Sequence, residues 1–248
     1  VMGTVAQIWR HPIKSHGREA IDATHLAAGK CLPWDRHWAV VHERTKFDGE
    51  NWAMCRNFMI GTLTPTLAGI WAELDEATGR LTLRHQDIGS VTFDPDTEEH
   101  LFLDWVTPLC PPERDMPAAI VKAEGRGMTD SAFPSISLMN RTSHAAVEQA
   151  HGAPLEQERW RGNIWLDGLA PWAEEQWIGK TIRIGGATLE VREPIRRCLH
   201  TAANPASGDR DVDTISVLKT GFGHQNFGVY AVVTQDGPVA VGDAAEVL

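Results

Sequence analysis

The run Arg196-Arg197-Cys198, followed by the turn-rich stretch Asn204-Pro205-Ala206-Ser207-Gly208, has the most reactive residue in the chain set against basic neighbours. A thiolate binds metals and attacks electrophiles, and adjacent positive charge favours it over the thiol. Other segments have residue types suited to oxyanions. In Trp9-Arg10-His11-Pro12-Ile13-Lys14-Ser15 a strand-like run passes through a proline and presents a lysine beside a hydroxyl. A point charge next to a short donor suits a phosphate. In Arg159-Trp160-Arg161-Gly162-Asn163-Ile164 the side chains of Arg161 and Asn163 are two apart, so an extended backbone sends both to one face. A planar guanidinium beside an amide reads oxyanions, and Gly162 between them would let a ligand approach the backbone. Asp35-Arg36-His37-Trp38 leads into the apolar run Ala39–Val41. His11 and His200 could move protons, since imidazole titrates near neutrality. Taken singly, each segment also has a commoner structural reading: a solvated loop, a surface ion pair, an exposed strand face, a small buried thiol.

Composition narrows the partners. The chain has 248 residues with 23 Lys and Arg against 33 Asp and Glu, a net charge of −10. Nucleic-acid binders need a basic field to neutralise phosphates, so a polymeric nucleic acid is not expected, whereas a local basic pocket for one small anion is compatible. Hydrophobic residues at 42% and charged residues at 23% describe a folded chain. The four cysteines, Cys31, Cys55, Cys110 and Cys198, form no Cys-x-x-Cys pair. Their spacing matches neither a zinc site nor an iron–sulfur run, so no iron–sulfur cluster or haem is expected. Cys31 and Cys110 read as structural; Cys55, next to Arg56, is open between a pocket and a core position. No P-loop, dinucleotide fingerprint, Gly-x-Ser-x-Gly or His-Glu-x-x-His run occurs. The first residues show no apolar signal-peptide region, and no run of ~18 apolar residues suggests a transmembrane helix. A reducing cytoplasm is the expected location.

The elements that must position these residues are mostly short strands. Val5–Trp9, Trp38–His42, Arg80–His85, Ser90–Phe93, Asn163–Leu166, Thr181–Ile184, Leu189–Arg192, Gly228–Val233 and Pro238–Val241 read as strands, with Gly185-Gly186 a hairpin turn. Three helical signals stand among them. Thr97 would cap a helix carrying Leu101, Phe102 and Trp105; Thr142 or Ser143 would cap one ending at Gly152; Pro171 would start a short one over Trp172–Trp177. Many short strands and few helices favour a barrel-like α+β, mainly β, protein over βαβ units. Three prolines within Cys110–Pro117 suggest a boundary, giving domains 1–116 and 117–248.

In this order the segments resemble the MOSC family, named after the C-terminal domain of molybdenum cofactor sulfurase and including the mitochondrial amidoxime reducing component and its bacterial relatives. Pro12-Ile13-Lys14-Ser15 resembles its Pro-x-Lys-Ser element, and Asp35-Arg36-His37-Trp38 its Asp-Arg-aromatic element. Arg159-Trp160-Arg161-Gly162-Asn163 resembles Arg-Phe-Arg-x-Asn, and Arg197-Cys198 with Asn204–Gly208 resembles the cysteine motif and its tail. Asn226–Tyr230 and Val241-Gly242-Asp243 are similar to the closing strands. Trp160, Gly162 and Asn204 depart from the pattern, and Ala53–Asn57 stands where a Thr-x-Arg-Gln element is usual.

The resemblance implies an N-terminal β-barrel-like domain packed on a MOSC β-barrel, with a molybdenum cofactor between them. Cys198 would be the catalytic residue and the ligand to molybdenum. Lys14, Ser15, Arg36, Arg161, Asn163 and Arg197 would grip the pterin phosphate. Asn140, Thr142 and Ser143 would add weaker contacts, helped by N–H groups of the helix beginning near Thr142. The implied activity is reduction of small N-hydroxylated compounds, with electrons from a separate ferredoxin-like or flavoprotein reductase. Neither a membrane nor pyridoxal phosphate is expected. The alternative is a carrier of the cofactor, or of persulfide sulfur on Cys198, that turns over no substrate.

Overall fold

The computed structural model describes residues 2–123 and 125–248. Period-two burial explains most of its strands: in Trp71–Leu74 and Thr181–Ile184 every second side chain is buried, as a half-solvated sheet requires. In chain order, β1 to β4 are Met2–Arg10, Glu19–Ile21, Ala23–Leu26 and Ala39–His42, and β5 to β7 are Trp71–Leu74, Leu81–His85 and Gly89–Phe93. Helix α1, Glu99–Val106, β8, Pro117–Val121, and β9, Ile136–Asn140, come next. They are followed by α2, Arg141–His151, β10, Ile164–Asp167, β11, Thr181–Ile184, and β12, Ala187–Arg196. Helix α3, Thr214–Phe222, precedes β13 to β15, Asn226–Gln235, Gly237–Ala240 and Ala244–Val247.

Seven strands close into a barrel in the order β10-β9-β13-β12-β11-β15-β1, sealed by pairing of β1 with β10; β2 extends β1. The expected mainly β, α+β class is the one observed. Gly185-Gly186 makes the two-residue turn anticipated for it, with Ile184 opposite Ala187. The barrel is filled by Val5, Ile8, Leu138, Ile164, Leu189 and Val229 among others, each worth roughly 1.5–3 kcal/mol when fully buried. Beside it, the β5-β6-β7 sheet and the β4–β8 pair pack with α1 around Ile13, Trp38, Leu67, Phe93 and Phe102.

Strand pairing crosses the sequence division at 116/117 in three places: β1 is a stave of the C-terminal barrel, β8 pairs with β4, Val40 opposite Ile120, and β14 pairs with β3, Gly237 opposite Leu26. The helix starts also differ from expectation. Glu98, not Thr97, precedes α1, and Asn140 rather than Thr142 or Ser143 caps α2, accepting from the Thr142 N–H at 3.0 Å. Gly152 ends α2 in the left-handed region, as its position suggested. Ala173–Trp177 is a tight 3-10 turn that buries Glu174 instead of exposing it. Helix α3, capped by Asp213 on the Ser216 N–H, carried no signal noticed in the sequence.

Candidate functional site

A cavity of about 370 Å³ lies where the β1 exit loop, the turns after β8 and β12, and the loop before β10 converge. Lys14, Ser15, Arg36, Arg161, Asn163, Arg197 and Cys198 all line it. Lys14 is held from both ends: its N–H donates to the Trp38 carbonyl at 2.8 Å, and its buried ammonium donates to the Met128 carbonyl at 2.8 Å and Asp130 Oδ1 at 2.5 Å. The His16 ring donates from Nδ1 to the Lys14 carbonyl at 2.7 Å. Arg36 is fixed by Asp35, whose Oδ1 accepts the His11 N–H at 2.8 Å and whose Oδ2 meets Arg36 Nη1 at 2.5 Å. Burial disfavours the Asp35 carboxylate, but Arg36 and His11 outweigh it and hold the group far below the ordinary range. Arg36 Nη2 then reaches the Arg161 carbonyl at 3.0 Å.

Arg161 differs from the other arginines here. Its hydrogen bond to the Gly17 carbonyl, 3.1 Å from Nη2, is its one side-chain bond among the described residues, and no carboxylate pairs with it. Burial, then repulsion from Arg36 and Arg18, lowers its pKa to about 9. Backbone strain gathers around the same cavity. Ser15, Arg36 and Arg161 have φ of 65°, 50° and 48°, a region that costs a residue with a Cβ about 1–2 kcal/mol. The left-handed turn at Arg161, not alternation along a strand, is what directs it and Asn163 to one cavity.

Several candidates line the cavity with their polar groups already committed. Asn163 accepts from Ser137 N–H and Oγ at 3.1 and 2.9 Å and donates to the Trp9 carbonyl at 3.2 Å, so its amide staples β1, β9 and β10 rather than standing free. Arg197 donates to the Trp160 and Phe227 carbonyls and lies over both rings; among the described residues it also lacks a carboxylate, and burial lowers its pKa to about 10. Gly162 leaves no room for a ligand: a Cβ there would sit 2.2 Å from Met139 Cγ. The glycine serves packing of the Arg161 turn on β9.

Asn140, Thr142 and Ser143 do not reach the cavity. Asn140 Nδ2 donates to Glu174 Oε2 and the Ala170 carbonyl, both at 2.8 Å. Ser143 Oγ donates to Glu174 Oε2 at 2.9 Å, and Thr142 Oγ1 to the Leu169 carbonyl at 2.5 Å. These residues lock α2 to the turn at Glu174. The start of α2 is spent on that lock, which removes its N–H groups from any phosphate cradle.

Other lining residues complete the site. Asp130, whose side chain is largely exposed, is held down to about 2 by Lys14 and Arg36. His200 is lowered to about 3 by burial and by Arg161, so it faces the cavity as a neutral imidazole. The Ile60-Gly61-Thr62 turn folds against the Cys198 segment. Thr62 Oγ1 lies 3.4 Å from Cys198 Sγ, and a Cβ on Gly61 would fall 1.8 Å from His200 Nδ1. Tyr230, pushed up to about 12 by burial, and Cys55 close the wall. Burial and Asp130 push the Cys55 thiol up, Lys14 opposes them, and Cys198 adds to the rise. Of the sequence candidates, Cys31 and Cys110 are buried and Cys198 is exposed. Asp130 was legible only as part of the small polar run Thr129–Ser131, and the approach of Gly61 to His200 left no local signal.

Leaving aside Arg159, paired with Glu156 and Asp211, and Arg196 at the rim, the site sets Lys14, Arg36, Arg161 and Arg197 against Asp35 and Asp130. The cavity is cationic, with an exposed sulfur on its wall. Among the described residues no three His, Cys, Asp or Glu side chains are grouped to hold a metal by themselves.

Residues 129–246 match the MOSC domain and residues 2–102 the MOSC N-terminal beta barrel domain. The chain belongs to the MOSC family. Among solved structures this MOSC protein resembles the YuaD protein of Bacillus subtilis over 100% of its own length and 96% of that chain, with a TM-score of 0.51 at 14% identity. That likeness is one of fold. YiiM of Geobacillus stearothermophilus is 21% identical over 46% of this chain and 53% of that one, TM-score 0.36. YiiM of Escherichia coli is 21% identical over the same shares, TM-score 0.32. The sequence matches no curated protein. No described helix is long and apolar enough to cross a membrane.

Proposed function

We propose that this MOSC protein binds the molybdenum cofactor and reduces small N-hydroxylated compounds such as amidoximes and hydroxylamines. The observation that carries the reading is Arg161, an enclosed guanidinium with no carboxylate partner and one backbone acceptor among the described residues, sharing a cavity with the exposed sulfur of Cys198. A surplus of enclosed positive charge is costly until an anion arrives. The donor set fits the group: a soft thiolate for the metal and hard cations for its phosphate.

When bound, the cofactor would supply two-electron removal of the oxygen of an N–OH group, which leaves as water after two protons are taken up. The residues supply the rest. Cys198 would ligate the metal through Sγ. Lys14 Nζ, Ser15 and the free N–H groups of Arg36 and Arg161 would hold the phosphate, and Arg197, also on the cavity wall, would add charge. Asp35 keeps Arg36 aimed, and Asn163 keeps the strands beneath Arg161 in register. Electrons would come from a separate ferredoxin-like or flavoprotein reductase, in the cytoplasm.

The exposure of Cys198 also suits a second reading, in which its sulfur carries a persulfide or hands on the cofactor without substrate turnover. Molybdenum and pterin analysis of freshly purified protein, wild type and Cys198→Ser, separates them. Stoichiometric molybdenum lost in Cys198→Ser, with anaerobic reduction of benzamidoxime by an artificial donor, supports the reductase. A sulfide-releasing adduct on Cys198 without molybdenum supports the carrier. Full activity in Cys198→Ser refutes the ligand assignment.

A further inference from the structure

We infer that Cys55 is a resolving thiol for Cys198: under peroxide the two join in a reversible disulfide across the cavity, sparing Cys198 from irreversible oxidation. The inference builds on the importance of the Cys198 sulfur proposed above, but its geometry is independent of any cofactor. Both cysteines are free, exposed and on the wall of one cavity, whereas Cys31 and Cys110 are buried elsewhere.

They come to the cavity from the two halves of the sequence. Cys55 lies within the stretch matching the N-terminal domain, and Cys198 within that matching the MOSC domain. The segment bearing Cys55 is docked on the segment bearing Cys198 at several points. Thr62 Oγ1 touches Cys198 Sγ at 3.4 Å, Arg210 Nη2 donates to the Thr62 carbonyl at 2.5 Å, and Gly61 lies against the His200 ring. Phe58 and Met59, buried between Cys55 and that contact, anchor the segment. Cys55 itself sits on a single 3-10 turn, Cys55–Asn57, with no side-chain cap and no buried residue. Such a turn is at the low end of local stability and can adjust to the spacing a disulfide requires.

The chemistry closes with peroxide as the oxidant. The Cys198 thiolate attacks one peroxide oxygen, the O–O bond breaks, and hydroxide leaves a sulfenic acid on Sγ. The Cys55 thiolate then attacks that sulfur, the S–O bond breaks, and the oxygen leaves as water once protonated. In sum, two thiols and one hydrogen peroxide give one disulfide and two waters. Without Cys55, the sulfenic acid stays open to further peroxide and passes to sulfinic and sulfonic acid, which thiols do not reverse.

The test uses the metal-free full chain, so it stands apart from the molybdenum reading, which fails or holds on elemental analysis. Protein is treated with a small excess of hydrogen peroxide, then mapped by non-reducing peptide mass spectrometry. The expected result is a Cys55–Cys198 cross-link two hydrogens lighter than the dithiol, undone by dithiothreitol. In Cys55→Ser and Cys55→Ala, at least fivefold more Cys198 should be recovered as sulfinic or sulfonic acid, while Cys110→Ser behaves as wild type. Equal over-oxidation of Cys198 with and without Cys55, or a disulfide joining either residue to a different cysteine, overturns the inference. The two Cys55 variants are at an exposed position, and a cooperative melt matching wild type confirms that each is folded.

Discussion

Two polar clusters stand on either side of the barrel strand β9, and they resolve their charges in opposite ways. At its C-terminal end Asn140, Thr142, Ser143 and Glu174 close on one another, the amide and hydroxyls finding their remaining partners on nearby carbonyls and on the Trp172 N–H. Around the cavity, Lys14 and Arg36 have carboxylate partners, but Arg161 and Arg197 have none among the described residues. A network closed on itself stabilises the fold and, Glu174 Oε1 apart, has nothing left to offer a ligand. An open cationic one costs stability and has donors to spare. Residue type alone does not distinguish the two, because serine, threonine and asparagine serve in both kinds. The accounting of partners does.

The comparison breaks if the clusters respond alike to substitution. The largest effect is expected at Arg161. Arg161→Met should weaken binding of inorganic phosphate, followed by titration calorimetry, by two to three orders of magnitude, about 3–4 kcal/mol for a charged pair. The same variant should melt no lower than wild type without ligand, since it removes a charge that enclosure disfavours. A lower melt with unchanged phosphate affinity would make Arg161 a structural residue.

Acid should act first on the cavity side. His16 is fully buried with Nε2 unpartnered, and burial lowers its pKa from 6.5 to about 4. The unfolded chain therefore binds more protons between those values, and stability is lost as pH falls through them. At ~1.36 kcal/mol per unit that loss approaches about 3 kcal/mol by pH 4. Urea unfolding across this range should show the slope in wild type and a flatter one in His16→Asn, which keeps the donor to the Lys14 carbonyl.

The closed cluster should answer in stability alone. Asn140→Ala removes the α2 cap and leaves Glu174 Oε2 short of a donor, at a cost of about 2 kcal/mol in urea unfolding. Phosphate affinity should stay within twofold. The smallest effect belongs to Glu174→Gln. Burial raises the Glu174 pKa above 4.5, so its ionisation weakens the fold as pH rises from 4.5 through the raised value. The glutamine variant should be more stable than wild type at pH 7 by up to about 1 kcal/mol and equal to it near pH 4. A loss at both pH values would mean that the orphan Oε1 has a role the cluster does not reveal.

Strand content was legible because apolar residues recur at period two, and the Gly185-Gly186 hairpin because two glycines fit no other element there. Barrel closure was not, since the pairing of β1 with β10 joins residues more than 150 positions apart and leaves no mark on either local pattern. The same distance hid the role of Asn163, whose amide is used up by Ser137 and Trp9. Thr142 and Ser143 looked like cap residues, yet Asn140 won the cap because the extended backbone of β9 ends on it.

Local chemistry in the linear chain determined which side chains could meet an anion or a metal: Lys14, Ser15, Arg36, Arg161 and Cys198 are charged, hydroxyl or thiol groups carried by loops between elements. Folding decided which of them would be left with donors to give. That choice depends on carbonyls and carboxylates brought from the far side of the chain, and hydrogen-bond satisfaction is a property of the assembled neighbourhood, not of the residue that seeks a partner.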